Sequence, residues 1–217
     1  MGTRSKRAER CQYCRMHASL CICSSIPRYA LDTRLVLVMH HREIVKTTST
    51  GPLALAALTN SELRIHGRED RPLDFRDLDR PDRRTLLLYP GDDAPTLSKG
   101  FLGRDSRPVT LVVPDGTWRQ ASRMGRRLPG LGHAEMVRLS DGLKTCWGIR
   151  REHHPQGLAT FEAIARALGI IESTAVQAGL EELFRLMVRR TLLARGLPAA
   201  EPTSEPRQPP LRKGDGL

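Results

Sequence analysis

Pro108-Val-Thr-Leu-Val-Val-Pro-Asp115-Gly116-Thr117-Trp118-Arg-Gln-Ala-Ser-Arg123-Met124 opens as a nearly unbroken apolar run and closes as an amphipathic one. The run Val109 to Val113 reads as a strand buried on both faces of a parallel sheet. The chain then turns at Asp115-Gly116, where Asp115 or Thr117 can cap the helix that follows. In that helix Trp118, Ala121, Met124 and Leu128 fall near one face, and Arg119, Arg123 and Arg126 near another. A strand that turns tightly into a helix places a carboxylate and free backbone N–H groups at the carboxyl edge of the sheet. Open α/β sheets bind ligands at that edge. On spacing alone, Asp115 is equally well an N-cap and Trp118 a core anchor.

Working outward, Thr33 to His40 reads as the first strand of the sheet. It leads into a polar loop, His41 to Ser49, and a helix from about Thr50 to Leu58. Lys46, Thr48, Ser49 and Thr50 precede that helix, where hydroxyls, backbone N–H groups and a helix start can hold a phosphate or carboxylate. An ordinary capped loop reads the same way. Ser61 to His66 and Leu86 to Tyr89 are further strands, with an Arg/Asp/Pro-rich loop containing one helical turn between them. Leu86 to Tyr89 ends at Pro90-Gly91-Asp92-Asp93, where Gly91 permits a close backbone approach. Glu135 to Leu139 is the next strand. A loop with Arg150, Arg151, His153 and His154 follows, then a helix capped by Thr160 with Phe161, Ile164, Ala165 and Leu168 on one face. The last helix carries Leu180, Leu183, Phe184 and Met187. Strands alternating with helices predict an α/β fold with a mostly parallel sheet flanked by helices.

Four of the five cysteines lie close together, as Cys11-x2-Cys14-x6-Cys21-x-Cys23. Four thiolates on a short polar segment suit a structural, tetrahedral zinc, with His17 a substitute ligand. Two disulfides are the competing reading, which a cytoplasmic setting disfavours. Cys146 stands apart and reads as a small buried apolar residue. The chain of 217 residues carries 35 Lys+Arg against 24 Asp+Glu, a net charge of +11. That excess favours a polyanionic partner. No run approaches the length of a membrane span, and no secretory h-region follows the N-terminus, which points to no membrane and to the cytoplasm. The organisation expected is an N-terminal four-cysteine zinc-binding segment over 1–30, a catalytic domain over 31–197 and a disordered tail over 198–217.

Five blocks in order resemble one family: the cysteine cluster, His40 to Gly51, Leu88 to Ala94, Asp115-Gly116-Thr117-Trp118, and Leu158 to Ala163. Together they are similar to the DTW-domain family of tRNA-uridine aminocarboxypropyltransferases, over roughly residues 10 to 190. Ser49 stands where the family usually carries Asn. The resemblance implies a SPOUT-like fold with a C-terminal trefoil knot that holds S-adenosylmethionine. It implies alkyl transfer from that donor to N3 of a uridine in tRNA, giving 3-(3-amino-3-carboxypropyl)uridine. Asp115, Thr117 and Trp118 become the catalytic candidates, with Asp115 either general base or ligand of the donor's ammonium. Leu88, Tyr89, Pro90, Gly91, Asp92, Pro114, Gly116, Leu158, Ala159 and Thr160 become the donor-binding candidates. Lys46, Thr48, Ser49, Thr50, Arg119, Arg123, Arg150 and Arg151 become the RNA-facing ones. A SPOUT-type methyltransferase and a non-catalytic zinc-bearing RNA-binding protein are the rival readings, and the expected assembly is a monomer or a homodimer.

Overall fold

The computed structural model describes residues 9–197 except 69, 92, 143–144 and 148–156, and of Trp118, Arg126 and Arg127 the backbone alone. Asp92, Arg150, Arg151, His153, His154 and the expected tail over 198–217 therefore lie outside the described residues, as do the side chains of Trp118 and Arg126. Five strands, β1 Arg34–His40, β2 Ser61–His66, β3 Arg84–Leu88, β4 Val109–Asp115 and β5 Glu135–Val137, form one sheet in the order β2-β1-β4-β3-β5. Every pairing in it is parallel. The α-helices among the described residues are α1 Gly51–Ala57, α2 Lys99–Leu102, α3 Trp118–Arg127, α4 Thr160–Ile171 and α5 Thr174–Ala194.

The apolar run before Asp115 is the central strand, β4, and all seven residues of that strand are buried. Alternation along the strands divides the core in two. Leu35, Leu37, Met39, Leu86, Leu88, Leu111 and Val113 face α1, α4 and α5, while Val36, Val38, Leu87 and Val112 face Met124, Leu128, Phe75 and Leu78. Both faces are covered, which is why the central strands have no polar alternation. Buried Arg84 pins the far edge: its guanidinium donates to both carboxylate oxygens of Glu135 at 2.6 and 2.8 Å and sits over the Phe101 ring.

Several boundaries move. β3 starts two residues earlier than Leu86, and β5 ends at Val137 rather than Leu139, because Arg138 leaves the ladder to pair with Thr96 in an isolated bridge. The short α2 has no strong apolar period, and only its Ser98 cap, which accepts from the Phe101 N–H, signals it. Thr160 does not cap α4. Ala159 holds that position without a side-chain acceptor, and Glu162 makes the reciprocal half of a capping box by taking the Ala159 N–H at 3.0 Å. Cys146 is exposed, not buried. It lies between β5 and α4, where the sequence has no periodicity to report burial. No helix among the described residues is long and apolar enough to cross a membrane.

Leu111→Ala, in the centre of β4 at 0 % exposure, is expected to cost about 2–5 kcal/mol. Leu63→Ala, on edge strand β2 at 41 % exposure, is expected to stay within about 0.5 kcal/mol. Urea denaturation of the two variants checks the contrast.

Candidate functional site

Parallel strands end on the same side, so the turns after β1, β3, β4 and β5 gather at one edge. Asp115 is the last residue of β4, paired in register with Met39 of β1, and is only 5 % exposed. A buried carboxylate needs hydrogen bonds from the protein. Ser49 Oγ donates to Oδ2 at 2.9 Å and Thr160 Oγ1 donates to Oδ1 at 2.6 Å. The first donor ends the loop after β1, and the second begins α4. Asp115 thus ties the starts of α1 and α4 to the end of the central strand. The two helix starts are also joined directly, since Thr50 Oγ1 accepts the Phe161 N–H at 3.2 Å. Gly51 makes the approach feasible: a Cβ there would lie 2.7 Å from Asp115 Oδ2 and 3.0 Å from Leu37 Cδ2.

Asp115 is not a cap. Thr117 takes that role in a capping box, accepting from the Gln120 N–H while Gln120 Oε1 accepts the Thr117 N–H. Arg119 and Arg123 lie on α3, the first exposed and the second at the surface. In the loop after β1, Lys46 pairs with Glu43, which is 1 % exposed, so the lysine is partly engaged inside the protein. Thr48 and Ser49 are half-buried beside it.

A cavity of about 450 Å³ opens next to Asp115. Its walls include Leu88, Tyr89, Pro90 and Gly91 after β3, Pro114 and Gly116 around the end of β4, and Leu158 and Thr160 before α4. Ala159 is buried behind this wall, and Gly91 packs closely against Met136, whose sulfur would be 2.9 Å from an added Cβ. Thr160 has two roles: it lines the cavity and donates to Asp115. A further wall, Arg138 to Gly142, escapes a reading of the sequence that carries β5 on to Leu139 and puts the ligand loop further along. The rule that ligands meet the ends of parallel strands finds it once β5 ends at Val137. Arg138 and Asp141 bring a paired charge to the rim at 2.9 Å. Buried Glu162 braces the other side, accepting from the Cys146 N–H, the Thr145 hydroxyl and the Ala159 N–H.

The N-terminal cysteines form a second centre. The thiols of Cys11, Cys14, Cys21 and Cys23 lie within 4.8 Å of one another and could hold a metal ion. Cys11 and Cys23 are 3.4 Å apart, and Cys14 and Cys21 3.7 Å. Those spacings are too long for a disulfide of about 2.05 Å. They lie near the about 3.8 Å between sulfurs around a tetrahedral ion with metal–sulfur bonds of about 2.3 Å. The one-residue gap between Cys21 and Cys23 therefore still brings both sulfurs into the group. The backbone N–H groups of Cys14 and then Tyr13 point at the Cys11 thiol and hold its pKa down to about 6, whereas desolvation is the first cause pushing Cys23 up to about 12. His17 is outside the group, its Nδ1 hydrogen-bonded to Ser19 Oγ. Cys14, Met16 and Ile22 pack into the main core, so this segment is joined to the sheet layers.

Residues 8–192 match the family model described as the DTW domain. The tRNA-uridine aminocarboxypropyltransferase 2 of Macaca fascicularis is 30 % identical over 174 residues, 77 % of this chain and 58 % of that protein. The Mus musculus protein of the same name is 29 % identical over the same shares. The Drosophila melanogaster one is 28 % identical over 77 % of this chain and 68 % of that protein. The chain thus spans 58 % of the length of the first two relatives. Among solved structures, the SAM-dependent rRNA:acp-transferase Tsr3 from Vulcanisaeta distributa aligns with a TM-score of 0.45 at 18 % identity, covering 76 % of this chain and 84 % of that one.

Gly51→Ala should drive a methyl group into the Asp115 carboxylate and Leu37. Thermal unfolding is expected to show a loss of about 1–3 kcal/mol, as overpacking gives. A gain in stability, the usual result of Gly→Ala in an open helical position, would mean that the approach is looser than the geometry states.

Proposed function

The chain belongs to the DTW domain family, and from that premise we propose that it transfers the 3-amino-3-carboxypropyl group of S-adenosylmethionine to N3 of a uridine in tRNA. The observation that carries this reading is Thr160, which lines a cavity large enough for a small ligand and hydrogen-bonds a buried carboxylate. The activity for which the mammalian relatives are named supports it.

The donor supplies an electrophilic carbon next to a sulfonium, so the protein needs to orient and deprotonate rather than build a reactive group. The bond formed joins uridine N3 to the γ-carbon, the carbon–sulfur bond breaks, and its electron pair neutralises the sulfur, leaving methylthioadenosine. The N3 proton must go to a base. Asp115 takes it through the Thr160 hydroxyl, which accepts from the substrate as it donates to the carboxylate. Leu88 to Gly91, Pro114, Gly116 and Leu158 hold the donor. Arg138 and Asp141 offer charges for its carboxylate and ammonium. A cavity that fixes the γ-carbon, and not the methyl, toward N3 selects this product over a methylated one.

In the same reading the segments after β3, β4 and β5 form a trefoil knot, supported by their convergence on one cavity. The four thiols hold a structural zinc, for which a full set of cysteine ligands suits a closed site. Lys46, Thr48, Arg119 and Arg123, with the net charge of +11, face the tRNA backbone. Partner tRNA and thiols kept reduced suit a cytoplasmic monomer or homodimer.

Incubation of the full chain with unmodified tRNA and S-adenosylmethionine, followed by mass spectrometry, should yield 3-(3-amino-3-carboxypropyl)uridine and methylthioadenosine. S-adenosylhomocysteine with a methylated nucleoside would assign it to methyl transfer. Asp115→Asn should keep the fold, because Ser49 and Thr160 hydroxyls can turn to suit an amide, and lower the single-turnover rate by about 10²–10⁴.

A further inference from the structure

Within the cysteine segment one residue that the reaction does not use reaches toward the loop carrying Ser49. Arg15 follows Cys14 and has φ of +61°, alone among non-glycine described residues in the left-handed region. An arginine there costs conformational energy, so the surroundings must hold it in place. The holding contacts are those of the cysteine turn. The Arg15 N–H donates to the Cys11 carbonyl at 2.9 Å, the Cys11 N–H donates to the Met16 carbonyl at 2.9 Å, and Arg10 donates to the Arg15 carbonyl.

From this backbone the guanidinium reaches out of the cysteine turn, and its Nη2 donates to the carbonyl of Ile44. Ile44 lies in the loop after β1, whose own turns run from His41 to Ile44, from Glu43 to Lys46 and from Lys46 to Ser49. Ser49 then donates to Asp115. A succession of hydrogen-bonded turns therefore leads from the cysteine turn to the carboxylate, and the Arg15 side chain is the member that crosses between the two segments.

We propose that Arg15 is a positioning residue that transmits order from the metal-loaded cysteine turn to the loop carrying Ser49, so that the metal stabilises the Asp115 site without touching substrate. The turn keeps its left-handed residue because the ion fixes Cys11 and Cys14 ahead of it. Without the ion, Arg15 relaxes toward ordinary backbone angles and the guanidinium leaves Ile44. That the Asp115 site is catalytic rests on the transferase reading and that the thiols hold a metal rests on the zinc reading; the Arg15–Ile44 link stands apart from both.

The test uses the full-length protein with its metal measured at about one ion per chain. Arg15→Gly keeps the left-handed angle at no steric cost and removes only the side chain. Its metal content should be unchanged, while amide hydrogen exchange over residues 41–49 should speed up by about 2- to 10-fold, the change that losing one hydrogen bond brings. Arg15→Lys, which can still reach a carbonyl, should restore part of the protection. Chelation of the wild type should speed exchange over the same residues, and chelation of Arg15→Gly should add little more there. Exchange over 41–49 that is unchanged in Arg15→Gly would overturn the proposal. If Arg15→Gly loses metal or folds poorly, chelation of the wild type decides, and unchanged exchange over 41–49 there overturns it equally. A wild type that modifies no uridine would count against the transferase reading and leave the exchange result unaffected.

Discussion

A carboxylate at the end of an apolar strand, 5 % exposed, has to be satisfied from within the protein or be expelled from it. Asp115 is satisfied by two hydroxyls from segments far apart in sequence, Ser49 and Thr160. That need fixes where the loop after β1 ends and where α4 begins. The cavity opens between the turns after β3, β4 and β5, and the bond from Thr160 to Asp115 holds one residue of its wall. Gly51 belongs to the same constraint, since a Cβ there would lie 2.7 Å from Asp115 Oδ2.

The core gives this arrangement its stiffness. With layers on both faces of the sheet, β4 cannot slip against β1 or β3 without turning its buried residues into the wrong cluster. The cysteine segment packs Cys14, Met16 and Ile22 against the layer that also holds α4 and α5. A bound metal there would add rigidity to a segment with few apolar residues of its own. The Arg15 guanidinium on the Ile44 carbonyl joins it to the loop that presents Ser49, which couples the two centres mechanically even though they share no ligand.

The sheet is legible in the sequence because its strands are buried on both faces, and a run such as Val109 to Val113 fits little besides a buried strand. The order of the strands is not legible, since nothing in Leu86 to Leu88 says that β3 lies between β4 and β5. The cavity walls after β3 and β4 can be named from strand ends, whereas Arg138 to Gly142 cannot, because the apolar pattern through Val137 and Leu139 continues a strand that tertiary context ends. Thr160 reads as a cap, since a threonine before an apolar helix usually is one. Here Ala159 holds the cap position, Glu162 takes the Ala159 N–H, and the Thr160 hydroxyl donates to Asp115 instead. No local pattern announces a bond between residues 45 positions apart. The cysteines are legible as a group from their spacing, but their coupling to Ile44 depends on one backbone angle at Arg15.

We propose that Asp115 and Thr160 act as one proton-accepting unit. It is tested most directly by single-turnover rates of Asp115→Asn, Thr160→Val and the double variant, with donor affinity measured alongside. Residues that act as a unit lose activity together, so the double variant should be no slower than the slower single one by more than about threefold. Losses that multiply, with each single variant slow and the double slower by the product of the two, would contradict the account.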